Sequence, residues 1–230
     1  MRRFIGIACI ALGVLCICTA VGLVIYNHME EQSADEFSKF LLQDVQEEII
    51  ANMQQLMENT KEQEDYAPNQ EKPSEPEIGA PNQSVESEEV IPEEVIVPEM
   101  KTIEIGGYGY IGILSIPSLG LELPVMTDWS YAKLKKAPCH YYGSCYESDF
   151  VIAAHNYKSH FGRLSKLQQG DPILFTDAVG QVHRYEVVLL ETLPKTATLE
   201  MITSGFDLSL YTCTLGGASR VTVRCQAAVG

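Results

Sequence analysis

The strongest constraint on this chain is an uncharged apolar run of 23 residues near its start, from Phe4 to Tyr26. As an α-helix this run would be about 34 Å long, which is enough to cross a hydrocarbon core of about 30 Å. Arg2 and Arg3 precede the run, and acidic residues follow it from Glu30 onward. Because basic residues stay on the cytoplasmic side of a membrane, everything after the run is predicted to lie outside the cell.

Residues 1–26 are therefore interpreted as a transmembrane signal anchor. This interpretation makes the protein a single-pass plasma-membrane protein with a cytoplasmic N-terminus. The alternative is a cleaved signal peptide, although the run is long for one and Cys18-Thr19-Ala20 is a mediocre cleavage site. Both interpretations export the rest of the chain.

The negative charge of the chain is concentrated in one segment. The formal net charge is -15, and residues 27–100 contain 20 acidic and 3 basic residues, whereas the charges of residues 101–230 balance. No basic face stands out, which argues against a nucleic-acid partner. Seven cysteines in 230 residues are too few for a fold that depends on disulfides.

Residues 27–60 are predicted to form an amphipathic juxtamembrane helix. The segment contains neither Pro nor Gly, and its apolar residues recur at steps of three and four. These residues are Phe37, Leu41, Val45, Ile49, Met53 and Leu56 or Met57. The stripe predicts a helix that packs on its own domain or pairs weakly with a second copy.

Residues 61–100 are predicted to be an acidic, Pro-rich disordered linker. Six of the 11 prolines of the chain fall in this segment, which has too few apolar residues to offset its chain entropy. With the preceding helix it would form a stalk that holds the domain away from the bilayer. The apolar residues of 90–97 predict either a strand docked on the domain or an apolar part of the linker.

Residues 101–230 are predicted to be the folded unit, mainly β with short helices. Short apolar runs separated by Gly, Pro, Asn and Asp indicate a closed barrel or a sandwich. The predicted strands are Tyr110–Ile116, Leu121–Val125, Phe150–Ala154, Pro172–Thr176, Val182–Leu193, Leu208–Cys213 and Val221–Cys225. Helical pieces are predicted at Tyr131–Lys135 and Gly162–Gln168.

Three residues in this unit carry the chemistry of acyl transfer. His155 follows one apolar strand, Cys213 ends another, and Arg220 opens the strand after a short turn. A hairpin of this shape brings the thiol and the guanidinium to the same end of neighbouring strands. A nearby cation favours the thiolate, which can attack a carbonyl, while a guanidinium can bind the oxyanion and an imidazole can protonate the leaving amine.

The C-terminal 120 residues or so resemble a sortase, a Gram-positive surface cysteine transpeptidase. The resemblance lies in Ser209-Leu210-Tyr211-Thr212-Cys213 with Arg220 seven residues later, and in Ala154-His155-Asn156. Ile113–Pro117 with Leu123-Pro124-Val125, and Phe161–Leu164 with Gly170-Asp171, resemble other segments of the family. Asn156 after the histidine is more typical of class B, whereas the short segment 194–207 departs from the long helical insertion of that class and leaves the class open.

This resemblance implies an eight-stranded barrel, a thioester intermediate, and His155, Cys213 and Arg220 as the catalytic residues. The substrate would be the sorting-signal peptide of an exported protein, and the acceptor an amine of a peptidoglycan precursor or a pilin lysine. No cofactor is implied, and calcium dependence is open. Asn156, Tyr211 and Thr212 are candidate substrate contacts, with simple packing as the alternative for the last two.

The remaining cysteines are given structural interpretations. Cys139 and Cys145 flank a five-residue segment and could form a disulfide in an exported protein, or remain two separate thiols. Cys225 alternates with apolar residues and is predicted to point into the core. A zinc site built from Cys139, Cys145, His155 and His160 is not expected, because the spacing differs from that of zinc fingers.

Two other functions are compatible with the same residues. A secreted cysteine peptidase would use water in place of the amine acceptor. A tethered module without catalytic activity would bind a partner at the end of the stalk.

Overall fold

The structure is a computed structural model that describes residues 2–65 and 98–228 of the 230-residue chain. Its first helix, α1, runs without interruption from Arg2 to Asp65. The apolar part of α1 is long enough and apolar enough to cross a membrane, and a signal sequence would have the same properties. Most of the predicted linker, including the strand considered for 90–97, lies outside the described residues.

Within residues 98–228, nine β-strands and two short helices follow α1. The strands are β1 Ile103–Ile105, β2 Tyr108–Ile116, β3 Leu121–Met126, β4 Cys139–Tyr142, β5 Phe150–Ala153, β6 Pro172–Asp177, β7 Val182–Pro194, β8 Leu208–Cys213 and β9 Ser219–Ala227. The helices are α2 Tyr131–Leu134 and α3 Thr198–Ile202, with 3-10 turns at Pro117–Leu119 and Leu164–Lys166.

Eight of the strands close into a barrel. Their order around the ring is β2-β3-β4-β5-β8-β9-β7-β6, and β6 pairs back onto β2. The pairs β3–β4 and β5–β8 are parallel, and the other pairs are antiparallel. β1 lies outside the ring and extends the sheet along the first residues of β2. The predicted closed eight-stranded barrel is confirmed.

Local sequence explains how the barrel begins. Pro117 opens the 3-10 turn between β2 and β3, where its fixed φ suits the turn and its missing N–H costs nothing. Gly120 ends the turn with φ of 59°, a left-handed conformation that a residue with a Cβ adopts at a cost, and its N–H donates to the Pro117 carbonyl. The turn therefore reverses the chain within four residues and sets the β2–β3 register.

The barrel interior decides which residues of the later strands face outward. Phe150 and Ile152 of β5, Leu208 and Leu210 of β8, and Val223 of β9 are fully buried in one apolar core. Because successive side chains of a strand point to opposite faces, the residues between them face the outside of the barrel. This parity places the odd-numbered residues of β5 and β8 on the outer face.

The second half of α1 packs against the barrel. Leu41, Val45 and Ile49 are buried against residues that include Ile113 and Met126. Burial of one such side chain contributes about 1.5–3 kcal/mol of transfer free energy. The sequence left two partners open for the apolar stripe, and in the structure the stripe packs against the chain's own barrel.

The contact between α1 and the barrel begins just beyond the apolar run. Glu30 forms an ion pair with Lys135, and Glu31 accepts a hydrogen bond from the backbone N–H of Lys158. Only three residues separate Tyr26 from Glu30, which is about 6 Å along a helix. The helical part of the predicted stalk therefore lies along the domain and does not hold it away from the apolar run, because its stripe is buried against the barrel.

Each of the seven predicted strands is present, and three elements were not predicted. β1 is only three residues long, and β4, with the sequence Cys139-His140-Tyr141-Tyr142, contains an irregular register and no apolar alternation. α3 lies in a segment of mixed polarity. For the two strands, pairing with neighbouring strands, and not local pattern, defines the element.

Candidate active site

Strand pairing brings three residues, called here the row, to the same end of the neighbouring strands β5, β8 and β9. The parallel register of β5 and β8 pairs Ala153 with Tyr211, and His155 and Cys213 each lie two residues beyond this pair. The antiparallel register of β8 and β9 pairs Cys213 directly with Arg220. Residues opposite one another in a sheet share a face. Cys213 and Arg220 therefore share the outer face of the barrel, and His155 follows the neighbouring strand at the same end of the sheet.

The thiol at the centre of this row is accessible. Cys213 is an exposed residue, whereas His155 and Arg220 are partly buried. Cys213 and Arg220 line a groove of about 220 Å³ on the outer face of the barrel. A chain bound in this groove would lie against the sulfur.

Asn156 offers a hydrogen bond to His155 in either protonation state. Its backbone N–H lies 3.0 Å from His155 Nδ1, which accepts this bond when the imidazole is neutral. Its side-chain Oδ1 lies 3.1 Å from the same nitrogen and can accept from Nδ1–H of the imidazolium. No hydrogen bond to Nε2 occurs within the described part of the chain, which leaves this nitrogen free for chemistry. The geometry makes Asn156 a positioning residue for His155.

The loop after β5 is held in a compact turn around the histidine. The N–H of Phe161 donates to the His155 carbonyl, and the N–H of Gly162 donates to the Tyr157 carbonyl. A Cβ at position 162 would lie 2.4 Å from the Asn156 oxygen, so that only glycine fits there. Phe161 and Gly162, which the sequence analysis singled out, therefore fix the conformation of the loop that carries His155.

Arg220 follows a tight five-residue turn between β8 and β9. Gly216 and Gly217 have φ of 83° and 71°, which allows the chain to reverse within this length. The Arg220 Nη1 donates to the carbonyls of Gly217 and Ser219, both at 3.2 Å. These bonds fold the side chain against the turn and leave the rest of the guanidinium for an oxyanion.

The two residues that flank the thiol on β8 have different roles. Tyr211 lies on the groove wall with its ring edge against Tyr141, 5.3 Å between centroids. Burial raises the pKa of Tyr211, which therefore stays protonated at neutral pH. Thr212 points to the opposite face with 3% exposure, and its hydroxyl donates to the Ala154 carbonyl at 2.9 Å. The substrate contact predicted at Thr212 is replaced by a strand-to-strand tie.

Aromatic residues that the sequence analysis did not select complete the groove wall. Trp129 packs against Tyr131 and Tyr141 with centroid distances of 5.8 and 5.5 Å, and all three line the groove. Trp129 and Tyr131 are exposed, 43% and 80% respectively. Exposed aromatics in a loop before a short helix are a signal that could have indicated a binding surface.

Arg224, also missed, fixes the other wall of the groove. It is four residues after Arg220 on β9, only 2% exposed, and pairs with Glu191 at 2.8 Å. Its guanidinium also donates to the carbonyls of Glu200 and Met201 in α3, at 2.8 and 3.3 Å. Since Met201 lines the groove, Arg224 holds this wall against the sheet. Arg220 and Arg224 are four residues apart in one strand and so lie on the same face, and this pattern could have indicated that Arg224 lies near the site.

The disulfide considered for Cys139 and Cys145 is not formed. Both are free, buried thiols, and they belong to different apolar clusters, Cys139 beneath α1 and Cys145 in the barrel interior. Burial raises the pKa of each to about 12. The alternative of two separate thiols is therefore correct. Cys225 is buried in the barrel core as predicted, and burial raises its pKa to about 12.

A second cluster of cysteine, aspartate and histidine lies away from the groove. Cys145, Asp177 and His183 bring their polar atoms within 4.8 Å of one another, and no other such donor group occurs among residues 2–65 and 98–228. Asp177 Oδ1 accepts from the N–H groups of Val179 and Gln181, and Oδ2 lies 3.1 Å from His183 Nε2 and accepts from the Tyr146 hydroxyl. With four partners, this carboxylate is a structural anchor of the β6–β7 turn.

The row at the groove has the parts required for acyl transfer. It combines an accessible sulfur, an imidazole with a free Nε2, and a guanidinium with unused N–H groups. The groove beside them has aromatic walls suited to apolar side chains of an extended peptide.

Comparison with known proteins agrees with this geometry. A family model described as a sortase domain matches residues 114–228, half of the chain. The matched residues include His155, Cys213 and Arg220. No curated protein sequence matches the chain.

Several solved structures are similar to this chain. Sortase A from Corynebacterium diphtheriae shares 24% identity at a TM-score of 0.48, over 54% of this chain and 62% of its own. Group B Streptococcus Pilus Island 1 Sortase C2 shares 26% identity at a TM-score of 0.47, and the match covers 55% of this chain and 77% of that protein. A Clostridium perfringens Sortase D5 transpeptidase shares 21% identity at a TM-score of 0.47, and the match covers 52% of this chain and 79% of that protein. The chain thus spans less than two thirds of the first of these proteins.

Proposed function

This chain belongs to the sortase family, and from that premise we propose that it is a membrane-anchored extracellular cysteine transpeptidase. It would cleave the sorting-signal peptide of an exported protein and transfer the acyl part to an amine. The observation that supports this most strongly is the pairing of Cys213 with Arg220 at an open groove, with His155 following the neighbouring strand at the same end.

In the first half of the proposed reaction, the Cys213 thiolate attacks the scissile carbonyl of the bound peptide. The negative charge that develops on the carbonyl oxygen is stabilised by the Arg220 guanidinium. The His155 imidazolium donates its Nε2 proton to the leaving amine as the carbon–nitrogen bond breaks. The products are a thioester on Cys213 and the released C-terminal fragment.

In the second half, an acceptor amine attacks the thioester carbonyl. Neutral His155 takes a proton from the amine, and the tetrahedral intermediate collapses to an amide with release of the Cys213 thiolate. For Nε2 to accept this proton, the neutral imidazole must carry its own proton on Nδ1, where Asn156 Oδ1 can accept it in the neutral tautomer and in the imidazolium alike. The reaction needs no cofactor, since the three side chains supply the nucleophile, the proton and the oxyanion contact.

The location follows from α1 and the charges that flank its apolar part. We propose that this part remains in the plasma membrane with the N-terminus in the cytoplasm and the barrel outside. The acceptor would then be an amine of a peptidoglycan precursor or a lysine of a pilin subunit. The protein would thereby attach surface proteins to the cell wall or join pilins.

The test uses the full chain in detergent with sorting-signal peptides from exported proteins. The expected products are an acyl-enzyme, seen by intact mass spectrometry, and an amide when hydroxylamine or a peptide amine is added. The Cys213→Ala variant should form neither. Cleavage whose products never include the added amine would identify a peptidase, and peptide binding without acyl-enzyme would identify a binding module; either result would overturn the proposal.

A further inference from the structure

A tyrosine is stacked on the histidine of the site. The rings of His155 and Tyr157 are parallel within 3°, and their centroids are 4.2 Å apart. Such a stack covers one face of the imidazole and limits its rotation about the side-chain bonds. The orientation of His155 therefore depends on where Tyr157 is held.

Tyr157 and its neighbour are held by the first polar turn of α1. The Tyr157 hydroxyl donates to Glu30 Oε2 at 3.3 Å, and the backbone N–H of Lys158 donates to Glu31 Oε1 at 2.6 Å. Glu30 Oε1 also accepts from Lys135 at 2.8 Å, directly after α2, whose Tyr131 and Leu134 line the groove. Two adjacent carboxylates of α1 thus contact both the histidine loop and the start of the groove wall.

A second tie lies deeper in the same interface. Ser38 of α1 donates its hydroxyl to the Lys136 carbonyl at 2.9 Å and lies 3.4 Å from His160 Nε2. Burial, and to a smaller extent the charge of His155, lowers the pKa of His160 to about 4, so that it is neutral at physiological pH. The histidine loop therefore contacts α1 at Tyr157 and Lys158 and again at His160.

We propose that the juxtamembrane part of α1 is a positioning element for the reaction, holding His155 in its catalytic orientation through Tyr157. The inference rests on the proposed function for its kinetic consequence. Its structural half, that α1 sets the environment of the imidazole, can be measured without substrate. The membrane-proximal helix is then part of the catalytic apparatus and more than a tether.

The first experiment compares Tyr157→Leu with Tyr157→Phe in the full chain in detergent micelles. Leu removes the aromatic face, whereas Phe keeps the stack and loses only the hydroxyl. The ring protons of His155, assigned with a His155→Gln variant, should show an upfield ring-current shift that Leu abolishes and Phe retains. In transpeptidation, Leu should lower kcat about 10- to 100-fold with KM nearly unchanged, as expected for a misplaced catalytic group, and Phe should restore most of the rate.

The second experiment removes the carboxylates of α1. The double variant Glu30→Ala/Glu31→Ala should move the His155 resonances towards the chemical shifts found in the Tyr157→Leu variant, and it should lower kcat about tenfold. The matched control is Glu47→Ala, on the exposed face of the same helix, which should leave both unchanged. Melting temperatures of all variants show that they remain folded.

The outcomes separate this proposal from the proposed function. If the wild type forms no acyl-enzyme, the proposed function fails, while the His155 resonances still show whether α1 controls the imidazole. If Tyr157→Leu leaves the His155 resonances and kcat unchanged, or if Glu47→Ala has the same effect as the double variant, the positioning role is refuted.

Discussion

The barrel contains two places where a cysteine lies near a histidine, and they differ in every property that matters for reactivity. At the groove, Cys213 is exposed at the end of β8, and His155 follows the end of the neighbouring strand β5. In the barrel interior, Cys145 is buried beside Asp177 and His183. Of these two sulfurs, the exposed one of Cys213 is accessible to a bound chain.

The difference lies in unused hydrogen-bonding capacity. Asp177 has four partners, and two of them are backbone amides of its own turn. His155 has Nε2 free, and Arg220 uses only one of its terminal nitrogens on the turn. Residue types alone therefore do not define a catalytic centre; exposure and free donors do.

The largest expected effect separates the two thiols by mutation. Cys213→Ala should lower transpeptidation by more than about 10⁴-fold, because the nucleophile is lost. Cys145→Ala should keep the wild-type rate, since its sulfur only fills space in the core. Product formation measured by chromatography provides the comparison, and a large loss of rate in folded Cys145→Ala would reverse the assignment.

A smaller effect tests the guanidinium of the row. Arg220→Lys should lower kcat by about 10²–10³-fold, the cost of removing one oxyanion donor. A lysine keeps the charge but not the planar fork. Single-turnover acylation rates report on this step directly, and near-normal acylation in the variant would exclude the oxyanion role.

Alkylation compares the cysteines without any substrate. In the folded protein at pH 8, iodoacetamide should modify Cys213 at least about 100-fold faster than the buried thiols, which have few thiolates and little access. The buried thiols are Cys139, Cys145 and Cys225. Peptide mapping identifies each site, and unfolding in urea should remove the difference. Equal rates in the native state would contradict the burial of these residues.

The smallest effect concerns the structural cluster and its pH dependence. Burial alone would raise the pKa of Asp177, but the bonds from His183, Tyr146 and two amides outweigh it, and the net pKa lies below 3.8. The carboxylate therefore stabilises the fold above pH 3.8, and this stability is lost as the pH falls through its lowered pKa. Asp177→Asn should lower the free energy of unfolding by about 1–3 kcal/mol at pH 7. It should also weaken the fall of the melting temperature with decreasing pH on the acid side.

An Asp177→Asn protein that melts like the wild type at pH 7 would show that this cluster is not a structural anchor. Its transpeptidation rate serves as the control. That rate should stay near the wild-type value, since the cluster lies outside the groove.

Much of the fold was predictable because strand periodicity is local. The β8 strand Leu208–Cys213 was predicted to the residue, and the turn to Arg220 was short enough to fix which residues meet. The position of His155 depends on the parallel pairing of β5 with β8, which no local pattern reveals. β4 was missed because its pairing across the barrel, and not its own sequence, makes it a strand.

The points that the sequence left open share one cause, which is that they concern long-range packing. The stripe of Leu41, Val45 and Ile49 indicated a buried face but not its partner. Thr212 is next to the thiol in sequence, yet strand alternation turns it to the opposite face. The same limit hid the contact of Glu30 with Tyr157 and that of Arg224 with Glu200, which join residues 127 and 24 positions apart in the chain.

The most direct test of the account is to locate the acyl group on the enzyme. The full chain is mixed with a sorting-signal peptide, quenched in acid during turnover, digested and mapped by mass spectrometry. We expect the acyl group on the peptide that contains Cys213, with none on those that contain Cys139, Cys145 or Cys225. An acyl group on any of these other cysteines would contradict the central claim that one exposed thiol, aligned with His155 and Arg220, performs the reaction.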